Sequence, residues 1–228
     1  MYKKIFIFGI FSLFVNINFL ASEEIPIYKL IFLGDEQVGK SCIIERFVKG
    51  TFTEEYQSTT SIDSYFKDDQ IGNKNIKLLL YDTSGQEKFR SLIPIYTKNA
   101  DIILLVYDVT SKNSFTHLSD WLNFLTGKGI DIKKEDVIFA VVGNKTDIVD
   151  KREVSAELGK AFAEKNGFIF EEVSAATGDG IKELFDVIRK EMLKKKPELL
   201  QPQPEIIKIQ KSGGKIKPEG GKKVCCCC

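Results

Sequence analysis

Gly34-x-x-x-x-Gly39-Lys40-Ser41 stands between an apolar, strand-like run (Tyr28–Leu33) and an amphipathic, helix-like one (Ser41–Val48). This is a P-loop pattern in the context it needs. Its glycines let successive backbone N–H groups turn inward around a chain of phosphates. The Lys40 ammonium can reach the β- and γ-phosphates and the Ser41 hydroxyl can sit on Mg²⁺, while the start of the following helix adds a positive dipole end. The stretch Gly34-Asp35-Glu36-Gln37-Val38-Gly39-Lys40-Ser41-Cys42 is therefore a candidate phosphate cradle, with Lys40 its candidate catalytic cation.

A second motif lies far downstream. Val141–Asp147 reads VVGNKTD, an apolar strand running into Asn144-Lys145-x-Asp147. The Asp147 carboxylate can accept hydrogen bonds from the N1–H and 2-amino groups of guanine, a donor pair that adenine lacks. A buried carboxylate left unpaired by the wrong base costs on the order of a few kcal/mol, so such a site selects GTP over ATP. Between the two motifs lies Tyr81–Phe89, YDTSGQEKF. Asp82 at a strand end suits a water-bridged Mg²⁺ contact, Gly85 can offer its N–H to a γ-phosphate, and Gln86 can orient an attacking water.

The elements that must position these groups follow from length and patterning. The 228 residues are 43% hydrophobic and 29% charged. That predicts one domain of about 170 residues plus tails. A net charge of +1 gives no global field for nucleic acid. The cysteines are Cys42 and Cys225–Cys228. Four adjacent cysteines cannot staple distant loops, and zinc sites need spaced ligand pairs, so neither framework is expected.

Strands are expected at Tyr28–Leu33, Ile62–Lys67, Ile76–Asp82, Ile102–Asp108, Val137–Gly143 and Phe168–Val173. Helices are expected at Ser41–Val48, Leu92–Lys98, Asn113–Leu125, Ser155–Asn166 and Ile181–Lys194. Gly72-Asn73 reads as the turn of an antiparallel hairpin. The rest alternates as βαβ units, predicting an α/β fold with a six-stranded, mostly parallel sheet covered by helices on both faces. Both motifs fall at carboxyl ends of strands, where such folds bind nucleotide. Beyond Lys194, Pro197, Pro202, Pro204 and two Gly-Gly pairs break regular structure, and six lysines make the tail basic. Residues 197–224 read as a flexible linker.

Together the three motifs resemble those of the small Ras-like GTPases, over about Ile27–Lys194. Within that superfamily the chain is similar to the Rab branch. The similarity rests on YDTSGQEKFRSL, LVYDVTSKNSF followed by Trp121, GNKTDI and the cysteine-terminated tail. FRSLIPIY, YKLIFLG and YQSTTSID are most similar to the Rab-six subgroup of Golgi traffic. The resemblance implies a GTP-hydrolysing switch regulating vesicle transport. It implies an exchange factor, a GTPase-activating protein, effectors on the switch loops, a prenylation escort and a GDP-dissociation inhibitor, but no nucleic acid. Thr59 then matches the threonine that completes the Mg²⁺ shell beside Ser41 and Asp82, and Phe52 the aromatic stacked on guanine. Ser174, Ala175 and Ala176 match the loop whose backbone reads the guanine oxygen. Leu92, Tyr96 and Ile62 would belong to the partner-facing surface, with core packing the alternative for Ile62. Cys227 and Cys228 match a doubly prenylated end, with Cys225 and Cys226 the alternative acceptors or palmitoylation sites, holding the protein on the cytosolic face of Golgi or endosomal membranes.

Several positions depart from the pattern. Thr60-Ser61-Ile62-Asp63-Ser64 replaces Ile-Gly-Ile-Asp-Phe, Tyr81 stands for Trp, Ser84 for Ala, and Ala176 for Lys. Glu36 occupies the position nearest the γ-phosphate, where its charge is expected to point to solvent. These changes bear on partner identity and hydrolysis rate; a hydrolysis-impaired binding module is the rival reading. Met1–Ser22 reads like a secretory signal, with Lys3-Lys4, an apolar centre and Ala21-Ser22. Export would separate the tail from cytosolic prenylation enzymes. The 1–24 leader is therefore expected to be a gene-model artefact, or an extension that does not direct export.

Overall fold

The computed structural model describes residues 25–53, 62–85, 87–132 and 136–200. The chain runs β1 (Ile27–Leu33), α1 (Lys40–Lys49), β2 (Ile62–Ile71), β3 (Lys74–Thr83), a 3-10 helix (Glu87–Leu92) and α2 (Ile93–Thr97). It continues through β4 (Ile102–Asp108), α3 (Lys112–Thr116), α4 (Leu118–Gly127) and β5 (Ile138–Asn144). Helix α5 (Ala156–Asn166), β6 (Ile169–Glu172) and α6 (Ile181–Lys195) complete it. The six strands form one sheet in the order β2-β3-β1-β4-β5-β6. Only the β2–β3 pair is antiparallel, closed at Gly72 with φ 58°. The expected α/β architecture is what forms.

Strands buried on both faces read as continuous apolar runs. In β4 the period of two sends Ile102, Leu104 and Val106 to one core and Ile103, Leu105 and Tyr107 to the other. The first core is closed by Ile43 and Ile44 of α1 and by Leu184, Phe185, Ile188 and Met192 of α6. The second is closed by Ile93, by Trp121, Leu122 and Leu125 of α4, and by Ala163 of α5. Each fully buried Leu or Ile contributes roughly 1.5–3 kcal/mol, so the sheet is clamped between two apolar layers. Its carboxyl edge is the rigid rim from which the loops of the site project.

Three boundaries differ from expectation. The single helix expected over Asn113–Leu125 is split at His117. Ser114 and Thr116 hydroxyls donate to the carbonyls of Ser111 (2.8 Å) and Asn113 (2.8 Å), competing with the helical backbone there. The expected helix over Leu92–Lys98 is a 3-10 turn ending at Leu92, then a short α-helix with Pro94 in its first turn. The linker expected from 197 instead begins as a 3-10 turn, Pro197–Leu200, because Leu199 is buried in the first core at 2% exposure.

Candidate functional site

The loop from Gly34 to Gly39 turns sharply, with Gln37 held at φ 64° and Gly39 at φ 92°. A Cβ on Gly39 would lie 2.2 Å from Asn144 Nδ2, so only glycine fits. Gly39 is the N-cap of α1, and no side chain caps that helix. By contrast Ser155 caps α5, accepting from Leu158 N. The first turn of α1 thus presents backbone N–H groups that an anion can satisfy. Lys40 is 5% exposed, and its Nζ donates to the carbonyls of Gly34 (2.8 Å) and Asp35 (2.6 Å). Burial lowers its pKa from the ordinary 10.5 to about 8, opposed by the charges of Asp82, Asp35 and Glu36. A desolvated ammonium beside a helix N-terminus with no side-chain cap suits an anion. Glu36 is exposed, as its charge requires.

Beside the lysine, the Ser41 hydroxyl is hydrogen-bonded to Asp82. Asp82 is 2% exposed, and its Oδ1 is buried with no hydrogen-bond partner. Burial raises its pKa from 3.8 to about 6, with Ser41 and Lys40 pulling it back. An orphaned buried carboxylate oxygen next to a serine hydroxyl fits a hard cation and its water shell. Among the described residues no group of three or more His, Cys, Asp or Glu could hold a metal. Magnesium here would therefore depend on phosphate oxygens as well, the usual arrangement for that ion.

On the base side, Asn144 joins three loops. Its Nδ2 donates to Val38 O (2.9 Å) and its Oδ1 accepts from Ala175 N (3.1 Å). Lys145 sits at φ 69°, a left-handed conformation uncommon for a lysine, and its ammonium pairs with Asp108 at 2.6 Å. Asp147 accepts from the Ser174 hydroxyl at 2.6 Å. The buried Asp147 carboxylate expected from the sequence is instead exposed. It stands at the loop edge, so the cost of a mismatched base arises only once a base covers it. Phe52 is half-buried against the first core.

Gly85 closes the phosphate loop from the switch side. A Cβ there would lie 2.2 Å from Glu36 N and 2.4 Å from Asp35 O. The segment it leads into exposes Leu92 (41%) and Ile95 (69%), while Tyr96 packs edge-on to Tyr81 with centroids 5.1 Å apart. Ile62 is half-buried at the start of β2, between its two expected readings. Thr59, Gln86, Cys227 and Cys228 lie outside the described residues, as does the 1–24 leader.

Sequence reasoning missed three participants: Arg46 on α1, and His117 and Trp121 at the start of α4. His117 Nδ1 lies 2.6 Å from Asp35 Oδ2, and Trp121 Nε1 donates to Asp35 Oδ1 at 3.0 Å. No local motif announces contacts across 82 and 86 residues of chain.

A doubly wound sheet with this phosphate loop and this base loop defines a nucleotide-binding switch domain. The family model for the Ras family matches residues 29–194. The chain belongs to the Ras family, and so is a small GTPase built to bind GTP or GDP with Mg²⁺ and to engage exchange factors, activating proteins and effectors.

Proposed function

We propose that this chain is a Rab-branch switch regulating vesicle-mediated transport, of the Golgi-associated subgroup. It acts on the cytosolic face of a Golgi or endosomal membrane, where lipids on Cys227 and Cys228 hold it. The observation that carries the switch reading is the approach of Gly85 to the Asp35–Glu36 backbone, immediately before the segment exposing Leu92 and Ile95. A change at the phosphate loop therefore reaches exposed apolar side chains within about ten residues. The motif residues and the basic cysteine-ended tail support the Rab assignment.

The chain's own groups then divide the work. Lys40 and the N–H groups of the loop and α1 bind and orient the phosphates and offset their charge. Bound Mg²⁺ would neutralise phosphate charge, held through Ser41, Asp82 and Thr59. Asp147, Asn144, Lys145 and the 174–176 loop select guanine, with Phe52 against its face. Gln86 orients the attacking water. Without an activating protein, turnover is slower than about one per minute.

Glu36, exposed beside the point of Gly85 approach, favours one second reading: a hydrolysis-impaired module that recruits partners while holding GTP. Multiple-turnover GTP hydrolysis by the parent and Glu36→Ser, with and without a cell extract supplying activator, separates the two. Phosphate release stimulated by the extract supports the switch; none in the parent, with release restored in Glu36→Ser, supports the module. The membrane assignment is tested by imaging tagged parent and a Cys227→Ser/Cys228→Ser variant. A parent that stays diffuse, or a variant that keeps the parent's distribution, refutes it.

A further inference from the structure

The loop that meets the guanine position carries Ala176 where the family pattern has lysine, so it has no long side chain of its own to lay along a base. Helix α1 reaches into that space. Arg46 Nε donates to Ala175 O at 2.8 Å, and one terminal nitrogen donates to Ala176 O. Its other terminal nitrogen donates to Gly50 O at 3.0 Å, two residues before Phe52. The guanidinium carbon lies 5.8 Å from the centroid of the Phe52 ring, within cation–π range. Ala175 is thereby fixed at both backbone groups, its N–H by Asn144 and its carbonyl by Arg46.

We propose that Arg46 is a positioning residue for guanine recognition, tying the loop that reads the base edge to the Phe52 segment that covers the base face. The inference rests on the guanine-site reading given above. Its chemistry is that of a planar fork. Three N–H groups reach three carbonyls on two separate loops, and a further face is left for the aromatic ring. A lysine offers its donors from a single nitrogen and lacks the rigid fork that holds carbonyls on both loops together. Removing it leaves the Ala175 and Ala176 carbonyls free to turn. That displaces the neighbouring N–H groups that would face the guanine oxygen, while Asp147, held through Ser174, keeps its place at the 2-amino side.

The test uses the full chain, with Arg46→Lys and Arg46→Ala beside the parent. Release of a fluorescent GDP analogue is followed with Mg²⁺ and with excess EDTA, and affinities are measured by competition. GDP release is expected to accelerate about tenfold in Arg46→Ala, equivalent to about 1.4 kcal/mol, and nearly as much in Arg46→Lys. The same factor persists in EDTA, because the clamp acts on the base side. Preference for GDP over the diphosphate of diaminopurine riboside, which carries an amine in place of the guanine oxygen, falls by about fivefold or more. Preference over inosine diphosphate, which keeps that oxygen, stays within about twofold. Release within about twofold of the parent in both variants overturns the proposal. So does uniform weakening of all three nucleotides alongside a lowered melting temperature, which marks a purely structural arginine. Should Arg46→Ala not fold, the Arg46→Lys arm decides alone. A parent with no preference for guanine nucleotides overturns the underlying guanine reading instead, a result distinct from either.

Discussion

Trp121 donates its indole N–H to the carboxylate of Asp35 at 3.0 Å, tying the phosphate loop to the start of α4. The other carboxylate oxygen meets His117 at 2.6 Å. The Arg90 guanidinium lies over the Trp121 ring, 4.2 Å from its centroid. One buried indole therefore touches both the loop that would hold phosphates and the segment that follows Gly85. Removing the Asp35–Trp121 bond should loosen the first and shift the second.

Trp121→Phe keeps an aromatic ring but deletes the donor. It should cost about 2 kcal/mol or more, because Asp35 Oδ1 loses its partner and the smaller ring leaves a void in the second core. His117→Ala should cost under about 1 kcal/mol, since that side chain is 48% exposed and its pairing is screened. Urea denaturation of the nucleotide-free variants measures both. Equal losses would mean that the packing of Trp121 adds nothing beyond a surface bond.

Lys40 sets a pH dependence with a definite sign. Its folded pKa of about 8 lies below its ordinary 10.5, so between these values the unfolded chain binds more protons. The nucleotide-free fold should gain stability as pH rises through that window. Nucleotide affinity should move the opposite way. Phosphate charge favours the ammonium, so binding takes up a proton above about pH 8 and weakens as pH rises further. Calorimetry at pH 7 and pH 9, in two buffers of different ionisation enthalpy, reads the proton directly. No buffer dependence at pH 9 would show Lys40 already charged in the free site.

Gly39→Ala should abolish tight nucleotide binding and destabilise the fold by about 2 kcal/mol or more. A left-handed φ disfavours any Cβ, and this one would strike Asn144, which also holds Val38 and Ala175. Thermal unfolding and fluorescent GDP titration measure the two effects. Wild-type affinity would mean the loop can open without harm to the base side.

The sheet and its motifs were legible because their signals are local. The apolar runs of β1, β4 and β5, the Gly34–Ser41 spacing and the Asn144–Asp147 run each lie within a dozen residues. What was not legible depends on distant partners. Arg46 gave no motif, because its meaning comes from carbonyls about 130 residues away. The break at His117 comes from serine and threonine hydroxyls competing for backbone carbonyls, which periodicity cannot register. Leu199 looked like part of a proline-rich linker until the first core was seen to bury it. The left-handed Lys145 is likewise invisible to propensity, because the Asp108 pairing and the loop around it impose it.

Asp82 offers the sharpest test of the cation site. Its unpartnered Oδ1 is kept buried beside Ser41, an arrangement that costs stability unless a cation and its waters complete it. In the parent, EDTA should accelerate GDP release by an order of magnitude or more, because removing the cation unpairs phosphate charge. In Asp82→Asn the EDTA effect should shrink to about twofold, since a neutral amide no longer holds the hydrated ion. Ser41→Ala should shrink it too, by deleting the hydroxyl on the same ion. Both variants should release GDP faster than the parent when Mg²⁺ is present. Stopped-flow release of a fluorescent GDP analogue, with and without EDTA, gives all six rates. An undiminished EDTA effect in Asp82→Asn would place the cation elsewhere and leave the buried oxygen without a role.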